Sequence, residues 1–184
     1  MDVKGSYPNV FQIWYGADDN VPHHYGVFIK HNAPIFSKIP TYRFLKTSWI
    51  KAFLKKNGYS LAKFSCAHYR FQSDIIRFLV LYHFGGLYLD LDVKLNGRFG
   101  EFLALLVDEY SNRDLMLENL RIYFLWFKRG SKNLEKIIEH YMNMEFIDYD
   151  YNVFSLGGLL KQLDVELLPV NVLNKYVKHF VISG

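Results

Sequence analysis

Two aspartates, Asp90 and Asp92, stand two residues apart at the end of an apolar segment. In the run Leu87-Tyr88-Leu89-Asp90-Leu91-Asp92-Val93, apolar residues at odd positions alternate with Tyr88 and the two aspartates. Successive side chains of a β-strand point to opposite faces of the sheet. The pattern therefore predicts a strand that carries both carboxylates on one side.

Two carboxylates at this spacing repel each other unless a positive charge lies beside them. A divalent cation supplies that charge, because Mg²⁺ and Mn²⁺ prefer carboxylate oxygens and keep open positions for substrate phosphates. Such an ion would bridge the protein and a diphosphate and stabilise the charge of the leaving group. The alternative is a pair of solvated carboxylates at a strand end. The almost wholly apolar segment 75–91 favours the metal, since unpaired charges are costly in such surroundings.

A helix must precede this strand and help to position its carboxylates. Ser73 is predicted as the N-cap, Asp74 lies in the first turn, and residues 75–84 have apolar side chains at helical spacing. Gly85-Gly86 predicts the end of the helix. Asp74 and Arg77 are three residues apart, so they share one face and could both point toward the strand end.

Further elements alternate along the chain. Residues 9–16 and 59–67 are predicted as strands, and the prolines of residues 33–42 predict loop and turn. Helices are predicted from Thr47 to the Asn57-Gly58 pair and over Ser131 to Asn143. Alternating strands and helices without internal repeats indicate an α/β fold.

Composition sets the limits of the interpretation. The chain has 184 residues, of which 51% are hydrophobic and 22% charged, as expected for one globular domain. The net charge of +4 is too small to predict a nucleic-acid partner. The basic residues Lys51, Lys55 and Lys56 form either a solvated helix face or a binding patch. No signal peptide and no transmembrane segment is predicted, which favours a cytoplasmic protein.

Two motifs resemble one known family. Phe71-Gln72-Ser73-Asp74-Ile75-Ile76-Arg77-Phe78, followed by residues 81–93, resembles the sugar-binding Asp-x-Asp region of a glycosyltransferase superfamily. This superfamily includes fungal initiating mannosyltransferases, bacterial capsular sugar transferases and, more distantly, clostridial glucosylating toxins. Phe11-Gln12-Ile13-Trp14-Tyr15-Gly16 is similar to the first strand of the same family. Two motifs in the right order are more specific than either one.

The resemblance implies a minimal single-domain glycosyltransferase-A fold of the α/β class and a retaining hexosyltransferase with a DXD motif. The implied donor is a UDP- or GDP-linked sugar, and the implied cofactor is Mn²⁺ or Mg²⁺. The acceptor would be a glycan, a lipid-linked or a protein acceptor, as in polysaccharide biosynthesis. Without a membrane anchor, a bacterial or viral enzyme is expected rather than a Golgi one.

The family's residue roles transfer to matching positions only. Trp14 would lie against the base, and Asp74 and Arg77 would hydrogen-bond the ribose and the donor sugar. Asp90 would contact the sugar or ribose and, through water, the metal, while Asp92 would ligate the metal directly. Trp14 could instead be a core aromatic, and Arg77 could pair with Asp74. These side chains are expected to converge on one cleft at the C-terminal end of the first strand, with Trp14 on its wall.

The resemblance weakens beyond Val93. Residues 1–95 would form the nucleotide-sugar and metal half, and residues 96–184 the acceptor-side half. Many family members end with a histidine near a Ser-Trp pair that reaches the diphosphate. This chain has His179 and Ser183 there but no tryptophan. Two other functions therefore stay open: an inactive nucleotide-sugar or glycan-binding module, and a metal-dependent phosphohydrolase in which Asp74, Asp90 and Asp92 hold the ions.

Overall fold

The computed structural model describes residues 7–65, 69–119, 121–144 and 157–180. Its strands are β1 (Val10–Ile13), β2 (Tyr42–Leu45), β3 (Gly86–Leu89), β4 (Val93–Leu95), β5 (Leu115–Leu117), β6 (Phe124–Phe127), β7 (Glu166–Leu168) and β8 (Val177–His179). Its helices include α1 (His23–Phe36), α2 (Thr47–Lys56), α3 (Tyr69–Phe84), α4 (Phe99–Tyr110), α5 (Lys132–Asn143) and α6 (Val170–Leu173), with a 3-10 turn at Ala62–Phe64.

The strands form a six-stranded mixed sheet and a separate two-stranded ribbon. The sheet order is β2-β1-β3-β6-β5-β7, and β1 runs parallel to both β2 and β3. β6 is antiparallel to β3 and β5, whereas β5 and β7 are parallel. β4 and β8 pair with each other in the antiparallel ribbon. The α/β class predicted from the sequence is confirmed.

A hydrophobic layer covers each face of the main sheet. Consecutive strand residues point to opposite faces, so Leu87 and Leu89 belong to one layer and Tyr88 to the other. The Tyr88 layer contains buried residues of α2, α3 and α5, and the Leu87 layer contains those of α4 and β8. Burial on both faces explains why the central strands are almost wholly apolar.

Helix α3 begins earlier than its sequence pattern predicts. It starts at Tyr69, so Ser73 lies inside the helix and the predicted N-cap is wrong. Phe71 extends the buried stripe of the helix by one turn and packs edge-on against Phe64, with ring centroids 5.4 Å apart. Asp74 therefore lies beyond the first turn, where the favourable field of the helix N-terminus has faded. The predicted end of the helix at Gly85-Gly86 is confirmed.

Two further expectations are wrong where the structure describes them. Residues 33–36 belong to α1, with Pro34 inside the helix, and the predicted strand at 59–67 contains a 3-10 turn, with residues 66 and 67 outside the described ranges. A tertiary contact of Asn32 accompanies the first difference. Asn32 is fully buried; its amide donates to Val93 O (2.8 Å) and its Oδ1 accepts from Leu95 N (2.9 Å), which holds the end of α1 against β4.

Several other predicted elements are confirmed. The first strand is β1, α2 ends before Asn57-Gly58, and α5 starts after Ser131, whose hydroxyl accepts from the backbone N–H groups of Asn133 and Leu134. None of the helices in the described ranges has the length and apolarity needed to cross a membrane.

Candidate functional site

Asp90 and Asp92 lie in a turn between β3 and β4. β3 ends at Leu89, so the prediction of one continuous strand through Val93 is wrong. Backbone bonds hold the turn at both ends, because Asp90 N donates to Tyr123 O (3.0 Å) and Phe180 N donates to Asp92 O (2.9 Å). The turn nevertheless brings the two carboxylates together. An oxygen of each lies within 4.8 Å of the other and of a ring nitrogen of His179.

His179 comes to this site from the end of the chain. It lies on β8 directly opposite Val93, and its Nε2 is 3.3 Å from Asp92 Oδ1. The ring of Tyr123 stacks on the imidazole, with centroids 4.0 Å apart and planes 3° from parallel. Many members of the family that the sequence resembles have a histidine near the C-terminus, but His179 was not predicted as a metal ligand. That family position was the signal that could have found it.

Asp90 is held in place through one carboxylate oxygen. Tyr88 Oη and Arg77 Nη1 both donate to Asp90 Oδ1, at 2.6 and 3.0 Å. Gln12 Nε2 donates to the Asp90 carbonyl at 2.8 Å, and Tyr42 Oη in turn donates to Gln12 Oε1 at 3.1 Å. The side chain of Asp90 stays 27% exposed. The two donors thus fix the carboxylate without using Oδ2.

Arg77 lies between two carboxylates in the interior. Its guanidinium pairs with Asp74 Oδ1 at 2.7 Å and with Asp90, and it also donates to Ile122 O at 2.9 Å. Burial opposes the charge of Arg77, but the neighbouring carboxylates of Asp90 and Asp74 outweigh it and raise the Arg77 pKa. The side chains of Arg77 and Asp74 are only 7% and 4% exposed. The predicted Arg77–Asp74 pair is present, and it continues to Asp90.

Tyr88 packs under this network as a neutral phenol. Burial raises the pKa of Tyr88 well above its usual value, so its hydroxyl stays protonated and donates a hydrogen bond to Asp90. The Arg77 guanidinium lies 4.6 Å from the centre of the Tyr88 ring. The phenol therefore contacts both partners of the Arg77–Asp90 ion pair.

Trp14 follows β1 and is only partly buried, unlike the strand residues before it. Its indole N–H donates to Asp18 O at 3.2 Å, and its ring lies 6.0 Å from that of Tyr25. Burial, and next the negative charges of Asp92 and Asp90, raise the pKa of Tyr25, so this phenol lies in the field of both carboxylates. Tyr25 thus lies between Trp14 and the two carboxylates in this chain of contacts. The role of Trp14 in stacking on the base stays a prediction.

The site residues and the mixed sheet together define a glycosyltransferase-A-like domain. The family described as "glycosyltransferase sugar-binding region containing DXD motif" matches residues 18–111, about half of the chain. The chain belongs to this family, which confirms the resemblance predicted from residues 71–93. The matched range includes Asp74, Arg77, Asp90 and Asp92, whereas Trp14 and His179 lie outside it. No curated protein matched the chain.

Proposed function

We propose that this protein is a retaining glycosyltransferase that moves a hexose from a UDP- or GDP-linked sugar to a glycan or other acceptor. One observation carries the proposal: in a chain of this family, Asp90, Asp92 and His179 offer three ligand atoms within 4.8 Å of one another. Asp92 and His179 are the direct ligands in this proposal, and Asp90 contacts the metal or its water.

The chemistry of the donor set fits a divalent cation. Carboxylate oxygens suit Mg²⁺ and Mn²⁺, and imidazole is a good ligand for transition metals, so the mixed set favours Mn²⁺ over Mg²⁺. When bound, the ion supplies charge neutralisation for the donor diphosphate and for the leaving nucleoside diphosphate. Asp92 and His179 are both largely shielded from water, with side chains 15% and 17% exposed.

The chain's own residues orient the donor around that site. Arg77 and Tyr88 hold the Asp90 carboxylate so that its free edge faces the donor. Asp74 and Arg77 contact the ribose and donor sugar in this proposal, which requires the sugar to reach a nearly buried pair. Trp14 stacks on the base. Such preorganised groups lower the barrier by orientation rather than by new covalent chemistry.

The second half of the chain provides the acceptor side in this proposal. Residues 96–184 already contribute Tyr123 and His179 to the rim of the carboxylate site. An acceptor that binds there would approach the donor sugar from the β8 side and would help to exclude water from the reaction.

Donor binding tests the proposal directly. We expect Mn²⁺ with one member of a panel of UDP- and GDP-sugars to raise the melting temperature. At a ligand concentration near 100 times Kd the gain is about 2.7 kcal/mol. Asp92→Asn and His179→Gln should abolish the Mn²⁺-dependent gain, while Asp108→Asn, a change of an exposed carboxylate on α4, should keep it.

Product analysis then separates the possible activities. The transferase should release nucleoside diphosphate and form a glycosylated acceptor. Donor binding without product would indicate a binding module, and release of inorganic phosphate would indicate a phosphohydrolase. Mn²⁺-dependent donor binding that is unchanged in a folded Asp92→Asn protein would refute the metal site.

A further inference from the structure

A groove of about 340 Å³ lies at the other end of the main sheet from the carboxylates. Its lining includes Trp49, Phe53, Lys56, His83, Phe84 and Arg129. Phe84 ends α3, and its carbonyl accepts from the Asn9 side chain just before β1 begins, whereas Trp14 follows the end of β1. Arg77 lies seven residues earlier in α3, about 10 Å along the helix axis. The groove is therefore separate from the carboxylate site.

The groove presents flat aromatic surface to solvent. Trp49 and Phe84 are 39% and 41% exposed, and their ring centroids are 6.2 Å apart. The indole of Trp49 stacks on the buried ring of Phe53, with centroids 5.2 Å apart and planes 8° from parallel. A rigid indole face that is open to solvent is suited to stacking on the apolar face of a sugar ring.

The charged side chains that line the groove are positive. Lys56 and Arg129 line it, and among the described residues neither has a carboxylate within ion-pair distance. Burial, and next the charge of Arg129, lower the pKa of His83, so the imidazole is neutral near pH 7. His83 adds a polar edge through its contact with Tyr59 Oη, at 3.0 Å. An anionic ligand complements this lining.

The helix ends limit the density of negative charge that the groove accepts. α2 and α3 both end beside it, at Lys56 and Phe84, and helix C-termini carry partial negative charge. A polyphosphate would be repelled by both ends. A single carboxylate can still pair with Arg129, whose planar guanidinium matches carboxylate geometry.

We propose that this groove is a second binding site, specific for an acidic saccharide such as a uronic-acid unit of a glycan. The sugar ring stacks on Trp49 beside Phe84, and the carboxylate pairs with Arg129 and Lys56. The site holds a glycan away from the metal centre and does not depend on the metal or on the nucleotide. It also gives a role to part of the basic cluster of α2.

Calorimetric titration in EDTA tests this site independently of the transfer reaction. The probes are tetragalacturonate and a hyaluronan tetrasaccharide, with tetragalacturonate methyl ester and tripolyphosphate for comparison. We expect at least one acidic tetrasaccharide to bind with a Kd of about 1 mM or tighter. The methyl ester and tripolyphosphate should bind at least about tenfold more weakly.

Variants then assign the binding to the groove. Trp49→Ala and Arg129→Gln should each weaken binding by about tenfold or more, whereas Trp49→Phe should restore most of it. Lys56→Gln should weaken binding, and Lys51→Gln on the same helix, which removes the same charge outside the groove, should not. Circular dichroism confirms folding, and Arg129→Gln serves if Trp49→Ala fails to fold.

The proposal fails on any of three results. In the first result, neither acidic tetrasaccharide binds with a Kd of about 1 mM or tighter. Alternatively, the methyl ester or tripolyphosphate binds as well as the acid, which would indicate a nonspecific apolar or anionic site. Finally, folded Trp49 and Arg129 variants bind like the parent protein, which would locate the saccharide elsewhere.

Discussion

At the scale of single residues, the buried charges near the turn that holds Asp90 and Asp92, the DXD turn, neutralise one another. Arg77 is almost fully buried, and such a charge is tolerated only when it is paired and hydrogen-bonded. Asp74 and Asp90 supply the pairing, and the Ile122 carbonyl accepts a further N–H. The same contacts fix the orientation of Asp90. The contacts that satisfy the buried Arg77 charge therefore also preorganise the partly exposed carboxylate of Asp90.

Replacing Tyr88 by phenylalanine tests this positioning role. Tyr88→Phe removes the hydroxyl that donates to Asp90 Oδ1 and keeps the buried ring. Loss of an outer hydrogen-bonding partner commonly lowers metal affinity by about 10–100-fold, and we expect a loss in that range for Mn²⁺. Titration of free Mn²⁺ by electron paramagnetic resonance measures it. Tyr110→Phe, at the end of α4, is the matched control. An unchanged Mn²⁺ affinity in folded Tyr88→Phe would show that the Tyr88 hydroxyl does not contribute to metal binding.

Trp14 allows a second test at this scale. Trp14→Ala should weaken binding of the donor nucleotide by about 1–3 kcal/mol, the usual contribution of a base stacked on an aromatic ring. Trp14→Phe should retain most of the binding. If Trp14 mainly fills the core, the alanine variant will instead lose about 3–5 kcal/mol of stability with little change in nucleotide affinity. Melting curves and nucleotide titrations on the same samples distinguish the two results.

At the scale of elements, the junction between α3 and β3 sets the position of the DXD turn. Gly85 and Gly86 have φ of +62° and +110°, which strongly favour glycine. A Cβ on Gly86 would lie 2.3 Å from Asn9 O, the carbonyl that accepts from Leu87 N at the start of the β1–β3 pairing. The chain can pass from the helix into the central sheet only because this residue has no side chain.

Gly86→Ala should therefore destabilise the protein strongly. The backbone conformation alone costs about 1–3 kcal/mol for a residue with a Cβ, and the clash with Asn9 adds to it. Gly97→Ala is the matched control, because its Cβ would meet no atom within 4 Å, and it should change stability by less than about 0.5 kcal/mol. Urea unfolding of both variants measures the difference. Equal stabilities would mean that the junction can relax.

At the scale of the whole molecule, the β4–β8 ribbon joins the two halves of the chain. β4 follows the DXD turn directly, and β8 carries His179 opposite Val93. The Asn32 side chain ties β4 to α1, and Val177 packs β8 into the hydrophobic layer shared with α4. The proposed metal ligands therefore depend on packing contributed by residues from both ends of the sequence.

Val177→Ala tests this dependence. Val177 is 1% exposed, and removing two buried carbon atoms should cost about 2 kcal/mol, from the transfer of the methyl groups and the cavity left behind. We also expect weaker Mn²⁺ binding, because the neighbouring part of β8 loses its support. Val27→Ala, at a position that is 58% exposed, should change neither quantity. Denaturant unfolding and Mn²⁺ titration provide the readouts. An unchanged Mn²⁺ affinity in Val177→Ala would show that metal binding does not depend on the packing of β8 at Val177.

Local patterns in the sequence determined much of the fold and the core of the site. The stripes of α2 and α5, the glycines after α3 and the paired aspartates are short-range signals, because helix periodicity and turn chemistry act over a few residues. They predicted the α/β class, the C-terminal end of α3 and the family. They also predicted that Asp90 and Asp92 come together, although the expected reason, one continuous strand, was wrong.

Tertiary structure alone decided the features that depend on residues far apart in the chain. Phe71 packs against Phe64 in the early first turn of α3, and the Asn32 side chain bonds α1 to β4. His179 reaches Asp92 only because β8 pairs with β4. No local propensity encodes such contacts, since strand pairing and burial are free energies of the assembled chain. The sequence supplied the chemical groups, and the folded chain determined which of them meet.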